Sequence, residues 1–398
     1  MSNSARISPH DLPEPDELAL LSSARLHELI ADEIADAGGV ISFARFMELA
    51  LYAPGLGYYR AGAARFGAGG DFSTAPELSA LFGRTLARQI AEMMAHLGGA
   101  EVIELGPGTG KLAVDALAEL KSLDALPQRW RMLEVSGALR AEQAQTLSCA
   151  GTDLLDRVEW LEQLPEDSEK SIWIANEVID ALPVRRFIRT DDGVLELGVA
   201  NQANSFAWSR MAADKDLVAA VEAIESRLGR LPTGYVSEVC TRLPAFINGI
   251  AQSLQRGVTL WIDYGYPRRE YYLPERGSGT LISHYRHRAH NDPFLYPGLQ
   301  DITAFVDFSA LADALMEAGL DLLGYAPQGP FLLGGGLAEL AQPDIESADE
   351  RQRLAASQSI QRLTHPGDMG EKFKVMAAGR GYSGPISGFR LSDRRGFL

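Results

Sequence analysis

The chain is short of cysteine, of basic charge and of long apolar runs, and each shortage excludes something. Cys149 and Cys240 are the only cysteines in 398 residues, too few for a disulfide framework or a cysteine-rich metal centre and in keeping with a reducing compartment. No stretch approaches the roughly 18 consecutive apolar residues of a membrane-spanning helix. The opening MSNSARISPHDLPEPDE also lacks the basic-then-apolar layout of a secretory signal. Membrane insertion is therefore not expected, and the cytoplasm is the expected compartment. Lysine and arginine number 37 against 53 acidic residues, a formal net charge of -16. Such a field repels a polyphosphate backbone, so nucleic acid is not an expected partner, whereas a cationic one is drawn in. Repeats and low-complexity tracts are absent too. What is present is 46% hydrophobic residues, enough to bury the core of one elaborated domain or of two.

From Asp16 to Leu51 apolar residues recur at helical spacing, at Leu26, Ile30 and Ile34 and then at Phe43, Phe46 and Met47. This predicts two helices broken at Gly38-Gly39. The stretch YAPGLGYYRAGAARFGAGGDFSTAPELSALFGRTLARQI is first dense in glycine and aromatic residues, then turns helical from Pro76. Beyond Glu101 short apolar runs alternate with helical ones. EVIEL, WRMLEV, the start of SIWIANEVIDALP and GVTLWIDYG read as strands; KLAVDALAELKSL and GALRAEQAQTLS read as helices. FSALADALMEAG then reads as a helix stopped by Gly319, LDLLGYA as a strand, and Glu371 to Gly379 as a last strand that can close the sheet antiparallel. The alternation predicts an α/β fold, a mostly parallel sheet with helices on both faces.

Two stretches break the alternation. Val184 to Met211 reads as a β-ribbon in which Arg185–Thr190 and Val194–Val199 flank the turn DDG. Tyr266 to Phe305 is polar, aromatic and rich in proline and glycine. Both follow strands, which puts them at the carboxyl edge of the sheet, where ligands bind in open α/β folds. The expected organisation is an N-terminal helical region with a glycine-rich loop over 1–97, and a core over 98–398 with insertions at about 184–250 and 266–305.

The most informative segment is EVIELGPGTGKL. A Walker loop requires G-x-x-x-x-G-K-[ST], but the residue five before Gly110 is Leu105, and Lys111 is followed by Leu112, which has no hydroxyl for magnesium. A dinucleotide fingerprint counted from Gly106 and Gly108 puts Lys111 where its third glycine belongs. What remains is Glu104 two residues before a G-x-G-x-G of Gly106, Gly108 and Gly110. Such a loop lets a nucleoside lie on the backbone, and S-adenosyl-L-methionine suits it, with a ribose and an amino-acid tail but no pyrophosphate. An acid at the end of the second strand should then meet the ribose hydroxyls; Glu134 in WRMLEVS is in that place. Ordinary turn glycines give the same letters, but the strand-to-helix context and the second acid favour a methyltransferase.

Six blocks in order, GDFSTAPELSALFG, VIELGPGTGKL, ANEVIDALPV, WIDYGY, SHYRHRAHNDPFLYPGLQDITAFVDFSAL and MGEKFKV, resemble the MidA family of class I S-adenosylmethionine-dependent methyltransferases. The likeness runs from about Phe46 to the C-terminus. It implies a Rossmann-like sheet of seven strands with the last antiparallel, plus an added helical N-terminal region. Mitochondrial members are complex I assembly factors that symmetrically dimethylate an arginine of a core subunit. The resemblance thus implies S-adenosyl-L-methionine as cofactor and protein arginine methylation linked to respiratory complex assembly. A complex I subunit is the candidate protein substrate, and a homodimer is the candidate assembly. No mitochondrial targeting signal is visible, so the chain looks like a bacterial-type member. A small-molecule or non-arginine methyltransferase, and a non-catalytic assembly factor that binds the cofactor, would carry the same cofactor features; a dinucleotide oxidoreductase is the remaining alternative.

Methyl transfer is an in-line displacement, so the site must align a nucleophile and exclude water. No metal is needed. A guanidinium is protonated near neutral pH and is a poor nucleophile; a carboxylate that grips it can orient it and draw its charge away from the attacking nitrogen. ANEVIDALPV offers Glu177 as that anchor, Asp180 as its support and Asn176 at the cofactor edge. Asp180 capping a helix that begins DALP is the plainer alternative. In GGDFSTAPE, Asp71 can bind a cationic substrate or the cofactor's ammonium, with local turn chemistry as the plainer alternative, and Ser73 or Thr74 can cap the helix after Pro76. Asp263 in WIDYG is a third acid at the same edge, with Tyr264 or Tyr266 as an aromatic wall. His284, His287 and His290 recur at spacing three, but i and i+6 align poorly on one ion and Arg286 and Arg288 would repel it, so a polar loop is expected there. The expected site is Glu177, Asp180 and Asp71 for catalysis and substrate, with Glu104, Gly106, Gly108, Gly110, Glu134 and Asn176 for the cofactor.

Overall fold

Seven short, β-rich runs form the main path of the eight-stranded central sheet. In a computed structural model, which describes residues 12–61, 74–347 and 349–398, they are Glu101–Leu105 (β1), Trp130–Leu133 (β2), Val158–Leu161 (β3), Ser171–Asn176 (β4), Gly257–Tyr266 (β5), Asp321–Pro327 (β6) and Phe373–Arg380 (β7). Their order is β6-β7-β5-β4-β1-β2-β3. Neighbours from β5 to β3 run parallel, and β7 runs antiparallel to both β5 and β6. This is the class I methyltransferase sheet that the alternation and the resemblance imply. The chain winds outward from β1 to β3 and then returns to β4 on the other side of β1, so the carboxyl ends of β1 and β4 form the switch point where such sheets bind ligands. The strand β3 has no fully buried residue, so VEWL gives no clear apolar alternation and the sequence does not announce it.

Chain contacts divide the molecule into two compact units. The sheet unit comprises residues 73–179, 244–266 and 308–398. Its core packs Val102, Met132, Ile172, Ile174, Leu260, Ile262 and Val375 of the strands against Phe82, Leu86 and Ile90 of one helix and Leu112, Ala116 and Leu120 of another. Each buried aliphatic side chain of this kind contributes about 1.5–3 kcal/mol. The first of those helices, Ala80–Leu97, is capped by Ser79, whose Oγ accepts from Leu81 N at 3.2 Å, and it stops at Gly98 in the left-handed region. Thr74 stands before the short helix Ala75–Leu78 without a side-chain cap bond, so the capping expected of Ser73 or Thr74 falls to Ser79; Ser73 lies outside the described residues.

The other unit comprises residues 1–72, 180–243 and 267–307. Its helices Glu17–Asp36 and Phe43–Tyr52 are capped by Asp16 and Ser42. They pack Leu26, Ile30, Ile34, Phe43, Phe46 and Met47 against Val199, Phe206 and Ile302. The ribbon expected from Arg185 extends to three strands, Arg185–Thr190, Gly193–Gln202 and Ser205–Ala212, with Val236–Val239 on its far side. The two insertions and the N-terminal helices therefore share one unit, and the helix Ala80–Leu97 counts with the sheet, a division different from the expected boundary at residue 97. SHYRHRAH is a β-hairpin: Ile282–Tyr285 pairs with Arg288–His290 through Arg286 and His287, both at positive φ. Burial holds the His284 imidazole down, to a pKa of about 4. Among the described residues no three His, Cys, Asp or Glu side chains are grouped to hold a metal ion, and no helix is long and apolar enough to cross a membrane.

Candidate active site

The site is built on the carboxyl ends of β1, β2 and β4. Between Leu105 and the helix Lys111–Ser122, Gly106, Gly108 and Gly110 take φ of 60°, 55° and 82°. An L side chain in this region costs about 1–2 kcal/mol, which is the physical reason for glycine at each alternate position. The loop is also packed from two sides. A Cβ on Gly106 would lie 3.3 Å from Val178 Cγ2, just past β4, and one on Gly110 would lie 3.4 Å from the Cα, Cβ and Cγ of Gln143. Thr109 Oγ1 donates to Glu77 Oε1 at 2.5 Å, tying the loop to the short helix Ala75–Leu78.

Two acids flank the loop in different ways. Glu104 is 3% exposed, and its Oε2 accepts from the buried indole of Trp130 at 2.8 Å. Burial pushes its carboxyl up to about 8, with the indole bond opposing, so it is largely protonated at neutral pH and supports the strand end from within the core. Glu134 follows β2. Its Oε1 accepts from Ser136 N at 2.7 Å and its Oε2 from Gln143 Nε2 at 3.3 Å; burial raises its pKa, and these bonds oppose the rise. Ser136 in turn caps the helix Gly137–Ala150.

Gln143 carries no motif, yet it is fully buried. Its Nε2 also donates to Gly108 O at 2.8 Å, and its Oε1 accepts from Trp160 Nε1 at 2.8 Å. The available signal is positional. Leu139, Gln143 and Leu147, four residues apart, are the buried stripe of the helix Gly137–Ala150, and a polar residue in such a stripe calls for buried partners.

At the end of β4 the backbone departs from the ordinary. Glu177 takes φ of 54°, uncommon for a residue with a long side chain and a feature that gathers at functional sites. Its N–H still donates to Ile262 O at 2.8 Å, extending the pairing with β5 by one residue. Asn176 Nδ2 donates to Glu177 Oε1 at 3.2 Å, while Asn176 Oδ1 is buried with no hydrogen-bond partner among the described residues. Asp263 is 1% exposed and accepts from Ile179 N at 3.0 Å and from Tyr264 N at 2.9 Å. It is thus a clamp on the backbone that carries Glu177. Tyr264 stacks edge-on with Phe373, and the Tyr266 ring faces Lys374 Nζ at 5.7 Å.

Asp180 opens the next unit. It is buried, and its carbonyl accepts from Ala304 N at 3.0 Å. No helix begins at DALP, so the capping alternative for Asp180 is overturned: the chain goes through a turn into the strand Arg185–Thr190. Asp71 lies outside the described residues. The structure thus gathers the three glycines, Glu104, Glu134, Asn176 and Glu177 on one edge of one sheet.

These residues fit S-adenosyl-L-methionine. The three glycines leave an open backbone cradle at β1, Glu134 keeps a carboxylate at β2, and the buried Asn176 Oδ1 at β4 has an acceptor to offer.

Comparison with known proteins agrees with this geometry. The sequence profile of a family described as "Putative S-adenosyl-L-methionine-dependent methyltransferase" matches residues 85–326. The protein arginine methyltransferase NDUFAF7 of Danio rerio is 30% identical over 89% of this chain and 88% of its own length. Its Homo sapiens counterpart is 29% identical over 85% and 80%. A COG1565 superfamily protein of Burkholderia thailandensis, bound to S-adenosyl-homocysteine, is 43% identical and superposes with a TM-score of 0.93 over 98% of this chain and all of its own. The chain belongs to this family: it is a class I S-adenosylmethionine-dependent methyltransferase of the MidA group.

Proposed function

We propose that the protein is an arginine N-methyltransferase that forms symmetric dimethylarginine on a protein substrate, with a subunit of respiratory complex I as the candidate acceptor, and that it works in the cytoplasm as a homodimer. The observation that carries the reading is Glu177, held in a left-handed conformation at the end of β4 next to the cofactor loop. The names of the NDUFAF7 relatives support arginine as the acceptor, as does a net charge of -16, which favours a cationic partner.

In this reading the backbone of Gly106, Gly108 and Gly110, with Glu134 and Asn176, holds the cofactor, which supplies an electrophilic methyl group. Glu177 grips the guanidinium and draws its positive charge away from the attacking nitrogen. The carbon–nitrogen bond would form as the methyl carbon–sulfur bond breaks, with S-adenosyl-homocysteine leaving and the nitrogen's proton passing to solvent. Asp180 and Asp71 are proposed as further acids for the cationic substrate. Asp263 keeps the Glu177 segment in place.

The test is transfer of radiolabelled methyl from S-adenosylmethionine into a lysate lacking this protein, with amino-acid analysis of each labelled band. Label recovered as symmetric dimethylarginine in one protein supports the reading. Label confined to small molecules makes the acceptor a metabolite, and cofactor binding without any label makes the protein a non-catalytic assembly factor.

A further inference from the structure

The Gln143 amide is held in one orientation. An indole N–H can only donate, so the bond from Trp160 fixes Oε1 on that side and turns the Nε2 group toward Gly108 O and Glu134 Oε2. A planar trans peptide carries its C=O and N–H on opposite sides. Holding the Gly108 carbonyl on the helix side therefore turns the Thr109 N–H to the other side of the loop. The same residue touches the loop a second time, where Gly110 has room for no more than ordinary contact with it. One fully buried side chain thus links β1's loop, β2's acid and β3's tryptophan.

We infer that Gln143 is a positioning residue for S-adenosyl-L-methionine: it locks the glycine loop and the Glu134 carboxylate at one separation and presents the Thr109 N–H to the cofactor. This rests on the placement of the cofactor over the loop and Glu134. A merely structural residue in this stripe could be leucine, like Leu139 and Leu147 on either side. An amide there costs desolvation unless each of its groups is bonded, and each is.

The test measures S-adenosyl-homocysteine affinity by calorimetry, together with melting temperature in the absence of ligand. Gln143→Leu should weaken binding roughly tenfold or more while melting within a few degrees of the wild type. Gln143→Glu keeps the shape and the acceptor for Trp160, but sets a second carboxylate against Glu134. Its affinity should fall as pH rises and recover as pH falls and the two carboxyls come to share a proton, a recovery the wild type lacks.

Binding by both variants within twofold of the wild type would overturn the inference. Should Gln143→Leu fail to fold, Trp160→Phe decides. It removes the N–H that orients the amide together with part of the ring, and should weaken binding by roughly threefold; unchanged affinity contradicts the proposal. Glu134→Gln separates the two levels. If it binds as the wild type does, the cofactor placement itself fails; if it binds weakly while the Gln143 variants do not, only the role of Gln143 fails.

Discussion

The carboxyl ends of β2 and β4 each present a glutamate, in opposite conditions. Glu134 is buried with both oxygens accepting hydrogen bonds, and it is followed by a capped helix. Glu177 is half-buried, sits in a left-handed backbone conformation, and has beside it a buried amide oxygen with no hydrogen-bond partner among the described residues. A satisfied network rigidifies what it holds, and strain persists only where surrounding structure enforces it. Here the enforcing parts are Asp263 on Ile179 N and Ile262 O on Glu177 N–H. In the proposed function, binding falls to the settled end and chemistry to the strained one.

The comparison can be broken at either end. The largest effect belongs to Glu104, the core acid of β1 that accepts from Trp130 of β2. Unfolded, Glu104 ionises in the ordinary glutamate range; folded, it holds its proton up to about 8. Its contribution to stability is complete below the ordinary range and is lost as pH rises through 8, roughly 5 kcal/mol in all. Glu104→Gln should flatten the fall in unfolding free energy between pH 5 and 9, as measured by denaturant titration. Next, Gly110→Ala should cost about 1–2 kcal/mol and weaken S-adenosyl-homocysteine binding severalfold, because a methyl at φ 82° is strained and meets Gln143. The smallest effect runs the other way. Glu177→Gly should stabilise the fold by about 1 kcal/mol by relieving the backbone while removing methyl transfer. A fall in melting temperature would deny that the strain is real.

Much of this was legible from the sequence, for physical reasons. Strands β1, β4 and β5 are continuous apolar runs because helices cover both faces, and Glu134 could be placed because a strand's end fixes where the next side chain emerges. Besides strand β3, three things were not legible. Gln143 shows no pattern of its own, since its meaning comes from Gly108 and Trp160, 35 and 17 residues away. The capping role moved to Ser79 because Pro76 starts only one short turn, which breaks before the long helix begins. The union of residues 1–72 with both insertions depends on long-range contacts such as Tyr59 OH to Asp301 Oδ1 at 2.9 Å, which no local periodicity encodes.

The most direct test of the division of labour is a paired measurement on Glu177→Gln: S-adenosyl-homocysteine affinity by calorimetry, and the rate of methyl transfer at saturating cofactor. The account predicts affinity within about twofold of the wild type and a rate lower by roughly a hundredfold or more, the signature of a group that acts in the transition state. Weakened cofactor binding with an unchanged rate would contradict it, and would place Glu177 with Glu134 in the cofactor grip.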